Sequence, residues 1–244
     1  MEKALVGFYY DGSFFDKVSR YYRFFNGRRE FLNLGGLQEL ICAQLNSSGP
    51  SSTALYELAE AHFFKGRFST RSLRDFARAG QNIRSISTTD ELGIPVGNTI
   101  SEDERYIRVL ESDRYVEDNL MYANIEPHYY RVSDGNGSHN EKGIDVWLAL
   151  SAFEAVMERG VDVVVVFTGD EDFVPLFRKL KAKKKTVVLV SEKAEWEDRN
   201  GEKRFLGYSR RLAEEADFVF TLGRMISELE AVDGSSCQEL FIAN

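Results

Sequence analysis

The run VDVVVVF from Val161 to Phe167, followed at once by Thr168-Gly169-Asp170-Glu171-Asp172, constrains the fold of this chain more than any other segment. A β-branched run of this kind suits a strand buried on both faces of a parallel sheet, because the apolar and polar alternation of a half-exposed strand is missing. Carboxylates directly after such a strand fall in the crevice beyond the strand ends, where open α/β sheets bind ligands. The chain opens on a second instance: the apolar run Ala4 to Tyr10 ends in Asp11-Gly12. Two strands thus deliver an aspartate to what can be one edge of one sheet.

The remaining patterns alternate between strand and helix. Helices are expected over 15–25 and 35–45, a strand over 55–64, a helix over 70–79, an irregular stretch over 81–98, a longer helix over 102–122 and a strand over 125–132. Ser133 to Asn140 is rich in Gly, Asn, Asp and Ser and reads as a loop. A helix to Arg159, the strand 161–167, a helix over 172–182, a strand over 186–190, a polar loop over 191–207, a helix over 208–215, a strand over 218–221 and a last helix to Glu230 follow. Such alternation argues for an α/β fold, a parallel sheet covered by helices on both faces. One domain over 1–232 with a short, loose C-terminal tail over 233–244 is the simplest division.

Composition agrees with a packed domain: 43% of residues are hydrophobic, with 18 Phe and 11 Tyr. No apolar run approaches the roughly 20 residues of a membrane span, and MEKALVGFYYDG reads as a first strand rather than a signal peptide. Cys42 and Cys237 match no metal-binding spacing and fit a reducing, cytoplasmic setting. The net charge of −8, from 39 acids and 31 bases, excludes a uniformly basic nucleic-acid binder. Local basic faces remain, around Lys65, Arg67, Arg71 and Arg74 and along Lys179 to Lys185.

Aspartates at the ends of different strands, with another in the first turn of a neighbouring helix, suit a hard divalent cation. Mg²⁺ and Mn²⁺ take oxygen ligands, and Mg²⁺ keeps several waters while using a few carboxylates and substrate phosphate oxygens. Bound so, the ion activates a water and offsets charge developing on a phosphate.

Three segments carry a family resemblance: YDGSFF (Tyr10 to Phe15), KGIDVWLAL (Lys142 to Leu150) and TGDEDFVPLFRKL (Thr168 to Leu180). With the spacing from Asp145 to Asp170, they resemble the NYN domains of the PIN-like nuclease superfamily. The resemblance implies a PIN-like three-layer α/β/α sandwich around a mainly parallel sheet, and a metal-dependent ribonuclease, an endonuclease being favoured. Asp11, Asp145, Asp170 and Asp172 fall on its catalytic and metal-binding positions, with Mg²⁺ or Mn²⁺ as the ion. Thr168, Ser13 and Ser151 are secondary positions. Ser13 stands where many relatives have Asn, and Ser151 where they have an acid. Lys65, Arg67 and Arg71 are the RNA-contacting candidates. The partner implied is single-stranded or structured RNA; single-stranded DNA and homo-oligomerisation stay open.

Other readings compete. Asp11-Gly12 also suits a turn, Asp145 a helix first turn and Asp170 a helix cap. A site with one carboxylate fewer is compatible with a module that binds RNA or protein without cleaving it. Strand-end aspartates also serve metal-dependent phosphatases, although the first strand lacks a DxDx[TV] arrangement. His62 and His128 sit in apolar strand patterns and read as core or edge residues, His139 as a solvated loop residue, and Trp147 and Phe153 as core.

Overall fold

The computed structural model describes residues 2–26, 28, 30–48, 54–69, 72, 102–135, 138–140, 143–197, 201–232 and 240–242. Apart from Ser72, the helix expected over 70–79 lies outside the described residues, as do the irregular stretch over 81–98 and Arg71. In chain order the elements are β1 (Glu2–Asp11), α1 (Gly12–Arg20) with a π-helical turn over Tyr21–Phe25, β2 (Phe31–Leu32), α2 (Leu34–Ser48), β3 (Ala54–Arg67), α3 (Glu102–Tyr122), β4 (Glu126–Arg131), β5 (Ser133–Gly135) and β6 (Ser138–Asn140). Then come α4 (Ile144–Glu154), extended by a π-helical turn over Ala155–Arg159, β7 (Val163–Phe167), α5 (Val174–Ala182), entered through a 3-10 turn at Glu171–Phe173, and β8 (Thr186–Ser191). The chain continues with β9 (Ala194–Glu197), β10 (Lys203–Leu206), α6 (Arg210–Glu215), β11 (Phe218–Thr221), α7 (Leu222–Val232) and β12 (Phe241–Ile242).

Six strands form the central sheet in the order β11-β8-β7-β1-β3-β4, and every adjacent pair is parallel. Each residue of β7 is buried, as a central parallel strand covered on both faces requires. The period of two sorts the neighbouring side chains. Phe8, Tyr10, Val165, Phe167 and Val190 pack with α1, α2, α3 and α7 on one face. Tyr9, Phe64, Val164, Val166 and Leu189 pack with α4, α5 and α6 on the other. The result is a three-layer α/β/α sandwich around a parallel sheet, as the strand and helix alternation predicts and the family resemblance implies.

Three segments differ from the sequence expectation. The loop expected over 133–140 contains a short antiparallel hairpin, β5 with β6, and the polar loop expected over 191–207 contains another, β9 with β10. In β9, Ala194 and Trp196 turn inward while Glu195 and Glu197 face solvent, and Trp196 meets Tyr21 and Phe25 at ring-centroid distances of 5.2 and 5.3 Å. Two inward residues among charged ones are too few to register as a strand pattern. The tail expected to be loose returns to the body at β12, which pairs with β2; Leu240 and Phe241 are buried in the core of the α1 and α2 face.

Gly12 permits the first helix to start against β3. A Cβ at this residue would lie 2.7 Å from the Phe64 carbonyl oxygen and 2.8 Å from Lys65 Cβ, and neither of these atoms belongs to a freely moving side-chain end. We therefore expect Gly12→Ala to destabilise the domain by about 1–3 kcal/mol through overpacking. The shift of the urea unfolding midpoint measures it.

Candidate active site

Register decides where the aspartates meet. β1 and β7 are adjacent and parallel, with Tyr10 opposite Phe167, so Asp11 and Thr168 emerge side by side at the carboxyl edge. Their side chains are joined: the Thr168 hydroxyl donates to Asp11 Oδ2 at 2.9 Å. The same hydroxyl oxygen accepts from the Asp170 backbone N–H at 3.1 Å. The other Asp11 oxygen, Oδ1, accepts from the Ser13 hydroxyl at 2.7 Å and from the backbone N–H groups of Ser13 and Phe14, both at 3.1 Å. Asp11 is thus the N-cap of α1, satisfying donors that the helix leaves unpaired at its start. Asp170 has the same local role one strand over, its Oδ1 accepting from the Asp172 N–H at 2.9 Å.

Packing closes this corner. Thr168 is fully buried and Asp11 is only 7% exposed, whereas Asp170 and Asp172 are exposed. A Cβ at Gly169 would come within 2.6 Å of the Phe14 ring, so the glycine lets the loop after β7 lie on α1. These contacts explain in physical terms why Asp-Gly and Thr-Gly-Asp stand where they do.

Asp145 reaches the same edge by topology. Helix α4 leads into β7, so it runs antiparallel to the strands and begins at their carboxyl ends; it packs on β1, β3 and the Glu171–Phe173 turn. Asp145 lies in its first turn and is exposed. Ser151, six residues on, lies about 9 Å further along the helix axis, where its carbonyl accepts from Arg159 at 3.4 Å. Among the described residues, the aspartates do not form a group of three with ligand atoms mutually within 4.8 Å. The arrangement fits a hydrated hard cation, which needs only one or two direct carboxylates and reaches others through water. It does not form a closed cage.

Of the basic residues singled out in the sequence, Lys65, Arg67, Lys181 and Lys185 are paired with acids. Lys65 binds Asp16 at 2.7 Å. Burial pulls its ammonium pKa down, but the carboxylates of Asp16 and Asp113 outweigh that and hold it above the ordinary lysine value. Arg67 binds Glu117 at 2.8 Å and lies over the Tyr129 ring, 4.9 Å from its centroid. The cluster Lys179 to Lys185 is at the other end of the sheet, since α5 runs back from the carboxyl edge; Lys185 binds Asp162 there at 2.8 Å. Two further cations stand at the carboxyl edge of the sheet. Lys193 follows β8 and sits 4.3 Å from the Tyr208 ring centroid, and Arg211 binds Glu171 at 2.9 Å. Parallel topology brings both to this edge, and only knowledge of that topology could have singled them out.

The fold is thus a parallel α/β/α sandwich with Asp11 and Asp170 following neighbouring strands at its carboxyl edge. The NYN domain pattern matches residues 59–208, and the chain belongs to the NYN domain family, a PIN-like nuclease-type domain. Asp145, Asp170 and Asp172 fall within the matched span; Asp11 and Ser13 precede it. An uncharacterized protein of Methanocaldococcus jannaschii is 28% identical over 118 residues, 48% of this chain and 40% of that protein. This chain therefore matches well under half the length of that relative. A crystal structure of a protein of unknown function from Vibrio parahaemolyticus shares the fold, with a TM-score of 0.50 and 14% identity over 99% of this chain and 98% of the other.

The Thr168 hydroxyl donates to Asp11 Oδ2, where it is the sole donor among the described residues, and ties both caps together. Thr168→Val keeps the shape but leaves a nearly buried carboxylate oxygen short of a donor, and should cost about 1–3 kcal/mol. Thr168→Ser should recover most of that loss, both variants being read by chemical denaturation.

Proposed function

We propose that this protein is a Mg²⁺- or Mn²⁺-dependent ribonuclease that hydrolyses RNA phosphodiester bonds at the carboxyl edge of its sheet, with Asp11, Asp145, Asp170 and Asp172 as the acidic site. The observation that carries the reading is the Asp11–Thr168–Asp170 hydrogen-bonded chain, which holds acids from two neighbouring strand ends at one place. Family membership makes nuclease chemistry the natural use of such an edge.

The roles divide by exposure. Asp11 is fixed by four donors and is the rigid anchor, with lone-pair capacity remaining on Oδ2. Asp170 and Asp172, both exposed, are the acids that solvent and a phosphate can approach. Asp145 approaches the same edge from the helix start. A bound divalent ion would supply a polarised water and offset the charge on the scissile phosphate. The water oxygen adds to phosphorus while one ester P–O bond breaks; a proton leaves the water, and the departing oxygen takes one up. Preorganised acids contribute by being in place before the substrate arrives, so little reorganisation accompanies the reaction.

RNA must reach this edge despite the net charge of −8. Lys193, after β8, and Arg211, paired with Glu171, are cations at this edge, and Arg67 lies at the end of β3 on the same edge. The lysine cluster at the opposite end has no part in positioning a scissile phosphate there. A second reading, a module that binds RNA without cutting it, draws on the capping roles of Asp11 and Asp170, which would account for both residues without a metal.

Cleavage decides between them. With purified protein, labelled RNA and Mn²⁺, Asp170→Asn should lower the cleavage rate by about 100-fold or more, as expected when a group central to transition-state stabilisation is lost. Its circular dichroism and unfolding midpoint should remain near wild type, because the side chain is exposed. Full Mn²⁺-dependent cleavage by Asp170→Asn would contradict the assignment, and absence of cleavage in the wild type with retained RNA binding would favour the binding module.

A further inference from the structure

A group of side chains able to ligate a metal lies on the α4 face of the sheet, away from the acidic edge. His62 on β3 stands opposite Glu126 on the edge strand β4, and Phe64 stands opposite His128. The parallel register therefore brings two imidazoles and a carboxylate together from adjacent strands. One ligand atom from each of His62, Glu126 and His128 lies within 4.8 Å of the others. His62 Nδ1 is 2.9 Å from His128 Nε2 and 3.6 Å from Glu126 Oε2. Nitrogen ligands at zinc lie about 2.0–2.1 Å from the metal, so two ligands at a tetrahedral angle are about 3.3 Å apart. The two observed separations fall on either side of that value.

The surroundings orient the imidazoles. His62 Nε2 is buried without an aligned hydrogen-bond acceptor, but the Glu60 carboxylate is 3.3 Å away. Glu60 is itself held by the Tyr9 hydroxyl at 2.5 Å and by Arg159 at 2.7 and 3.1 Å. A fixed anionic carboxylate there favours the proton on Nε2 and turns the Nδ1 lone pair toward His128 and Glu126, the carboxylate–histidine arrangement that supports metal ligands. Rings hold the pair in place: Tyr9 stacks on His62 at 5.6 Å, Phe64 stacks on His128 at 4.5 Å, and Trp147 meets His128 edge-on at 5.0 Å. The Glu126 side chain is 66% exposed, leaving a route for an ion to enter.

We propose that His62, His128 and Glu126 form a binding site for a zinc-class transition-metal ion, with at least one coordination position open to solvent. Two imidazoles and one carboxylate select such ions over Mg²⁺, which prefers oxygen ligands. Without metal, the 2.9 Å contact is a hydrogen bond between the rings. Binding replaces it: the His128 proton moves from Nε2 to Nδ1, Nε2 joins Nδ1 of His62 on the ion, and no net proton is lost. The ion pins the edge strand β4 to β3. This inference is independent of the acidic edge and of whether the protein cleaves RNA.

The test uses the whole chain freed of metal by chelation and titrated with Co²⁺, whose visible absorption reports imidazole and carboxylate ligation, followed by competition with Zn²⁺. Wild type should bind Co²⁺ stoichiometrically, lose the signal to Zn²⁺ but not to Mg²⁺, and melt at a higher temperature with Zn²⁺ present. His128→Gln should weaken binding by about 100-fold or more and Glu126→Gln by about tenfold, with circular dichroism confirming that both are folded. Glu126 is exposed, so its variant keeps the test decisive if His128→Gln proves unstable. The Asp11→Asn, Asp170→Asn double variant should bind Co²⁺ like wild type. No Co²⁺ signal in wild type, or undiminished affinity in Glu126→Gln, would overturn the proposal.

Discussion

The parallel pairing of β1 with β7 is the constraint on which the rest of the molecule depends. It sets Tyr10 opposite Phe167, so the chain leaves both strands at one level and the next residues, Asp11 and Thr168, must come to terms with each other in a buried corner. A buried carboxylate without donors would cost several kcal/mol. Asp11 avoids this through the Thr168 and Ser13 hydroxyls and two backbone N–H groups. The same bonds start α1 and shape the loop after β7, so the fold and the acidic edge are built from one set of contacts.

The layered architecture was readable in the sequence where burial leaves a one-dimensional trace. VVVVF, the opening strand and the 102–122 helix are long or apolar enough to announce themselves, and the regular alternation from residue 143 onward implies the parallel sheet. Asp11, Asp145 and Asp170 were legible as candidates because a strand or helix end sits beside each. The hairpins at 133–140 and 194–206 and the pairing at 240–242 were not. Each depends on a few residues, such as Trp196 and Phe241, that find apolar partners far away in sequence.

Pairing was the hidden variable elsewhere too. His62 and His128 look like single residues in two apolar strands, and nothing between them states that β3 and β4 are neighbours in the register His62 to Glu126. Lys65 and Arg67 look available for phosphate until Asp16 and Glu117 are seen beside them. Conversely, Lys179 to Lys185 form the most conspicuous basic run, yet the antiparallel course of α5 carries them to the edge opposite the aspartates. Charge along a sequence locates cations on an element, whereas the direction of that element decides which end of the sheet they serve.

The central claim is that the carboxyl edge around Asp11 and Asp170 binds a divalent ion used in RNA hydrolysis. Crystals soaked in Mn²⁺ and measured for anomalous scattering address it most directly. The account predicts an anomalous peak at that edge, within ligand or water-bridged distance of Asp11 and Asp170. Ordered carboxylates there with no peak at saturating Mn²⁺ would contradict it.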